Sequence, residues 1–298
     1  MVPVLIRRDA LGCLLASAVS LASAQSGTAE PGFVCPMDKD VRSKTPGTCA
    51  RCGMRLVPEV ADAREFRVRI ASAPARPVAG RAVRISLQVL DPASGDRPVR
   101  RFEIMHERLF HLFLVSRDLS FFQHIHPGFD SASESFQIEV TLPRPGMYRL
   151  LSDFYPSGAT PQLVAGTVLV PGPGFSMEPV SLVPDLSPQQ GRNLRVELIC
   201  EPAQPLAGFK TLLFFRLSPA SGLEPYLGAM GHMLAASADL IDMMHVHPAY
   251  VTDAGSGTAQ LQFNMIFPRE GVHRVWVQFQ RSGIVNTVAF SIPVERLR

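Results

Sequence analysis

The chain has 298 residues, 46% hydrophobic and 18% charged, with a formal charge of +3; it is an ordinary globular composition with room for about two domains of ~150 residues. So small a charge imbalance argues against nucleic acid or an acidic membrane surface as partner. Twenty-six prolines and 22 glycines predict many turns and few long helices.

Residues 1–24 are expected to be an export signal. Arg7 and Arg8 form a basic head, "LGCLLASAVSLASA" an apolar stretch too short to span a bilayer comfortably, and "ASA" before Gln25 a small-residue cleavage site. Cys13 lies within the apolar stretch behind "ALG", a poor lipoprotein signature. No other stretch approaches ~18 uninterrupted apolar residues. The mature protein is therefore expected to have no membrane span and to be exported, periplasmic or secreted.

Residues 31–60 form the next unit. Cys35, Cys49 and Cys52 follow the spacing C-x13-C-x2-C, and Gly53 closes the C-x-x-C pair as a knuckle that turns both sulfurs toward one point. So short a segment cannot bury enough apolar surface to fold alone, and a cross-link is expected. Either a metal or a disulfide supplies one; the knuckle spacing favours metal, since a disulfide leaves one cysteine over unless it finds Cys200. The string "CPMDKDVRSKTPGTCARCGMRLVP" resembles the heavy-metal-binding domain of copper and silver efflux ATPases and efflux adaptors. The resemblance implies copper as cargo, with zinc as the other metal suited to such ligands, and a metal efflux component as partner. Where that family reads Cys-Pro-Met-His, this chain has Asp38. The fourth ligand is then Asp38, a thioether of Met37 or Met54, or absent, and either methionine is equally well explained by packing.

From Phe66 the pattern becomes short alternating runs broken by Gly and Pro. "FRVRIA", "VRISLQVL", "FQIEVTL", "MYRLLSDF" and "GTVLV" precede the linker "PGPGFSMEP" (171–179); "LRVELI", "KTLLFFRL", "LQFNMIF", "HRVWVQF" and "NTVAFSI" follow it. The predicted fold is mainly β: a small zinc-ribbon-like module, then two tandem Ig-like antiparallel β-sandwiches over 64–172 and 178–298. Flexible connections at "EVADAREF" and "PGPGF" would let these units move relative to one another.

The two sandwiches are copies. "HLFLVSRDLSFFQHIHP" (111–127) and "HMLAASADLIDMMHVHP" (232–248) align without a gap and share seven of 17 residues, including three histidines each. "LPRPGMYRLLSDFYPSG" (142–158) likewise matches "FPREGVHRVWVQFQRSG" (267–283). Residues i and i+2 of a strand share a face, so His124 and His126 project together. A turn at "SRDL", centred on Arg117 and Asp118, places His111 directly opposite His124. His111, His124 and His126 then converge, as do His232, His245 and His247. Pro127 and Pro248 are expected to end the strand and leave each trio near an open rim. A three-residue turn would separate the rings.

Neutral imidazoles suit copper or zinc. A lone buried histidine is ordinarily a core group bonded to backbone; the duplicated trio is what favours ligation. His106 and His273 lack counterparts and are expected to be structural or on the surface. Met105, Met230, Met233, Met243 and Met244 lie near the trios but read first as core filler. Ser116, Asp118, Ser237 and Asp239 read as turn residues. Asp153, aligned with Gln278, is expected to orient a histidine of the first unit only. The His-x-His-Pro strings and "LEPYLGAMGH" resemble uncharacterised bacterial secreted proteins, some of which carry the heavy-metal-binding module.

Three functions compete: an exported metal-binding protein that sequesters, carries or hands over copper; a metal-dependent enzyme with an open three-His centre; and an adhesion or assembly module with structural histidines. No general base, Ser-His-Asp order or phosphate loop supports the enzyme, so no catalytic residue is assigned.

Overall fold

The computed structural model describes residues 32–36, 38, 40–51, 53–59, 64–178, 180–255 and 257–297. The export-signal segment, Met37 and Cys52 lie outside the described residues.

The cysteine unit is a three-stranded antiparallel sheet of β1 (Phe33–Val34), β2 (Arg42–Ser43) and β3 (Val57–Pro58), ordered β2-β1-β3. Its apolar residues are too few for a core of their own. Val34, Met54 and Val57 are buried only by joining Met105 and Tyr155 of the following unit. Arg51 reaches the second sandwich, its guanidinium 5.3 Å from the Tyr250 ring centre. The module is thus seated on both sandwiches, contrary to the expectation of free movement on flexible linkers.

The first sandwich contains β4 (Arg67–Ala73), β5 (Ala82–Asp91), β6 (Arg97–Pro98), β7 (Phe110–Ser116), β8 (Phe122–Ile125), β9 (Gly128–Asp130), β10 (Ser135–Thr141), β11 (Gly146–Phe154) and β12 (Gln162–Val170). One sheet runs β4-β5-β10-β9 with β6 on β5, the other β12-β11-β7-β8. The second sandwich contains β13 (Gln189–Gln190), β14 (Arg195–Glu201), β15 (Lys210–Ser218), β16 (Leu223–Glu224), β17 (His232–Ser237), β18 (Met243–Val246), β19 (Pro248–Gly255), β20 (Thr258–Ile266), β21 (Gly271–Arg281) and β22 (Ile284–Val294). Its sheets run β13-β14-β15-β20-β19 and β16-β21-β17-β18, the latter extended by β22 on β21. The strand pairings are antiparallel and repeat the order of the first copy. Cys200, on β14, belongs to the core of the second sandwich, away from the module.

Three apolar layers result. Phe110, Leu112 and Leu114 face the first core, and Met233 and Ala235 the second. Between the sandwiches lies a third cluster: Phe113, Val115, Leu119 and Leu151 against Leu234, Ala236, Leu240, Met243 and Trp276. The sheets containing β7 and β17 therefore pack on each other as well as on their own cores. That explains why all seven residues of β7 and all six of β17 are buried, and why these runs read as continuously apolar rather than alternating. Arg117, itself buried, bridges the repeats by donating to the carbonyl of Ala238, its own counterpart in the second copy, at 2.8 Å. No helix among the described residues is long and apolar enough to cross a membrane.

Candidate metal centre

Each trio hangs on a hairpin whose turn is built by two side chains. In the first, Ser116 Oγ accepts from the Phe121 amide at 2.9 Å, and Asp118 Oδ1 accepts from the Ser120 amide at 3.1 Å. In the second, Ser237 Oγ accepts from the Asp242 amide and Asp239 Oδ1 from the Ile241 amide, at 3.0 and 3.1 Å. Leu119 and Leu240 take positive φ, 57° and 59°, to close these turns. The turn is therefore centred one residue later than expected. Phe113, not His111, lies opposite His124, and Leu234, not His232, lies opposite His245. The displacement is an even number of residues in pairing, so every histidine keeps its face. The direct His111–His124 opposition is wrong, but the convergence survives as a diagonal one.

His111 Nδ1 stands 3.0 Å from His124 Nε2, and His126 Nε2 is 3.3 Å from the same nitrogen. His232 Nδ1 stands 3.4 Å from His245 Nε2 and 2.9 Å from His247 Nε2. The same ring atoms converge in both copies, with all ligand atoms of each trio within 4.8 Å of one another. A tetrahedral ion with metal–nitrogen bonds of about 2.0–2.1 Å would set its ligands about 3.3 Å apart.

The outward-facing ring nitrogens fix the tautomers. His111 Nε2 lies 2.9 Å from the Met105 carbonyl and His232 Nε2 lies 2.8 Å from the Tyr226 carbonyl. A carbonyl only accepts, so both Nε2 atoms carry hydrogen and both Nδ1 atoms are bare. His124 Nδ1 donates to Gln278 Oε1 at 2.8 Å, the amide being set by its donation to Thr287 at 3.0 Å. His245 Nδ1 donates to Asp153 Oδ2 at 2.6 Å. In the second trio the bare Nδ1 of His232 faces Nε2 of both His245 and His247; in the first, His111 Nδ1 and His124 Nε2, both bare, face each other with no proton between them. Unless a cation lies there, that arrangement is repulsive.

Gln278 belongs to the second repeat and His124 to the first; Asp153 belongs to the first and His245 to the second. The orienting groups are exchanged between the copies, which corrects the expectation that Asp153 serves its own unit. The rings form one cluster across the interface, with His124 5.4 Å from His232 and His111 6.0 Å from His245. His111 and His232 are fully buried, while His126 and His247, just past their strands, are half-buried. The open rim expected beside Pro127 and Pro248 is thus confined to these two rings, and Pro248 begins β19 rather than ending the hairpin.

His106 is buried as well, its ring stacked 3.9 Å from that of His247. It occupies a left-handed position (φ 46°) equivalent to Leu227 (φ 51°). His273 lies apart, beside Phe267. Burial, reinforced by repulsion from neighbouring rings, pushes His111 down to about 4 and His126 and His106 to about 3, and holds His124, His232 and His247 well below the usual histidine range. Those six rings are kept neutral, the form that binds metal.

In the cysteine module, Cys35 and Cys49 are buried, and Asp38 Oδ2 lies 3.9 and 3.6 Å from their sulfurs. The Asp38 amide donates to Cys35 Sγ at 3.2 Å, and Arg51 holds the other carboxylate oxygen at 3.3 Å. Met54 is in the mini-core, while Met105 and Met233 are core residues too. Sequence reasoning missed the carbonyls of Met105 and Tyr226, the Gln278 acceptor and the stacking of His106. Only the six-residue offset from each carbonyl to its histidine was visible beforehand.

These features define a class: a two-copy antiparallel β-sandwich protein with a small cysteine module and histidine clusters at the interface of the copies. The chain belongs to the family described as a domain of unknown function (DUF8832), whose model matches residues 61–171 and 193–296. The model of the heavy metal binding domain matches residues 33–59. No curated protein matches. Similar solved structures include the Escherichia coli adhesin FdeC (14% identity, TM-score 0.26, covering 81% of this chain and 68% of that one). The titin Ig tandem A164–A165 is another (11%, TM-score 0.20, 78% and 97%), as is the Yersinia pseudotuberculosis adhesin InvE (13%, 0.22, 76% and 58%). Overlaps of this size add nothing to the fold described above.

Proposed function

We propose that this is an exported protein that binds copper for sequestration, transfer or resistance, with zinc as the other metal its ligands suit. One ion is held at Cys35, Cys49 and Cys52 with Asp38 as the oxygen ligand, one at His111, His124 and His126, and one at His232, His245 and His247. The observation that carries this reading is the pair of bare imidazole nitrogens facing each other at 3.0 Å in the first trio, with the same ring atoms gathered again in the second. The Met105 carbonyl and the Gln278 amide oxygen hold His111 and His124 in the tautomers whose inner nitrogens suit a cation. The match to the heavy metal binding domain supports a soft-metal cargo, and Arg7, Arg8 and "ASA" before Gln25 support export. A component of a metal efflux system is the partner this cargo implies.

Equilibrium dialysis of the mature protein tests the reading. Replacing His124 and His126 together by alanine is expected to lower the bound copper by one ion per chain. Unchanged stoichiometry removes the first trio as a site.

A further inference from the structure

The cysteine module does not sit at random on the sandwiches. A groove of about 510 Å³ is lined on one side by Asp38 and Asp40 and on the other by Met244, Val246, His247 and Met265. Asp38 is the residue whose Oδ2 lies beside both sulfurs, and His247 is a member of the second trio, 2.9 Å from His232. Each wall therefore carries one member of a ligand cluster. His247 also borders an adjoining groove of about 520 Å³ walled by Ala50 and Arg51. Arg51, braced within the module by Asp38 and both oxygens of Asp40, crosses to the second sandwich by lying over the Tyr250 ring.

We infer that this groove is an exchange path along which one copper ion passes between the sulfur site and the second trio without entering bulk solvent. The inference rests on the metal-binding reading above. Passage is stepwise ligand replacement. The carboxylate oxygen of Asp38 and the thioether of Met244 offer intermediate ligands, so the ion is never stripped of donors. The ion keeps its oxidation state throughout. Each sulfur released takes a proton from water; His232 accepts through an Nδ1 lone pair that is already bare, and any hydrogen on Nε2 of His245 or His247 passes to water as the ion binds. Sulfur favours the monovalent ion and nitrogen tolerates the divalent one, so oxidation state sets the direction of net flow. The second trio is the better-prepared end, because His245 alone among the orienting pairs is held by a carboxylate.

The test uses the full mature chain with His124 and His126 replaced by alanine, so that one trio remains. One equivalent of Cu(I) is added and its distribution read from cysteine and histidine NMR signals, with exchange spectroscopy giving the rate. The expected rate is independent of protein concentration and unaffected by a Cu(I) chelator in solution. Asn264→Trp, which narrows the groove at a residue that is not itself a ligand, is expected to slow exchange about tenfold or more, while equilibrium affinities at both ends stay the same. Met244→Leu, which keeps shape and loses the thioether, is expected to slow it less and serves where the tryptophan variant does not fold. Unchanged rates in the variants, or interception by the chelator, overturn the path while leaving both sites standing. Failure of copper to bind at one end overturns the metal-binding reading itself, and the separate affinities tell the two failures apart.

Discussion

Asp153 sits opposite His111 in its own sheet, yet its carboxylate accepts the Nδ1 hydrogen of His245, 2.6 Å away in the other repeat. Gln278 makes the mirror-image reach to His124. Each histidine trio is therefore completed by the sandwich that does not contain it, and neither copy builds a full site alone.

Asp153→Asn is expected to weaken copper at His232, His245 and His247 by about 10–100-fold, the usual effect of losing a carboxylate behind a metal-bound histidine. The first trio is expected to be little affected even though Asp153 lies in its repeat. Competitive chelator titrations of the variant, with each trio silenced in turn, measure both. A loss confined to the first trio contradicts the exchange of orienting groups.

Acid is expected to destabilise the metal-free protein. His111, at about 4 when folded, binds protons near 6.5 when unfolded. The unfolded chain therefore takes up protons first as pH falls, so stability is fully present above about 6.5 and declines toward 4. His126 and His106, at about 3, extend the same trend to lower pH. Melting temperatures of metal-free protein at pH 7, 5.5 and 4.5 are expected to fall in that order. A flat profile contradicts the buried neutral rings.

Copper is expected to stabilise the fold, because each histidine trio gains its orienting partner only when both sandwiches are in place. At free copper about 100 times the dissociation constant, the gain is about 2.7 kcal/mol per site, less any binding to the unfolded chain. Thermal melts with copper and with excess chelator test this. Identical melting temperatures contradict a folded-state site.

Trp276→Ala is expected to cost about 3–5 kcal/mol, typical of removing a large buried aromatic side chain. Trp276 is 5% exposed and stacks on Phe122 of the other repeat at 5.1 Å. It precedes Gln278 by two residues on β21, so copper affinity at the first trio is expected to fall with it. Urea unfolding gives the first quantity and dialysis the second. Full stability in the variant contradicts an interface that holds the copies together.

The sequence by itself determined that each hairpin gathers three histidines, because strand parity is independent of where the turn is centred: a displacement of two leaves every ring on its face. The glycine- and proline-broken alternating runs marked the β class, and the cysteine-bearing string marked the module over which the heavy metal binding domain matches. Three things needed the tertiary structure. The turn centre depended on Leu119 and Leu240 accepting a left-handed backbone, a strain set by packing that composition does not encode. The linkers around residues 60 and 171 read as flexible, since nothing local reveals that Val34, Met54 and Val57 find burial only against Met105 and Tyr155. The partnership of Asp153 with His245 joins residues 92 apart. Pattern reading assigns neighbours along a strand or across a hairpin, whereas this contact arises where two sheets, each already apolar on both faces, bury their outer faces against each other.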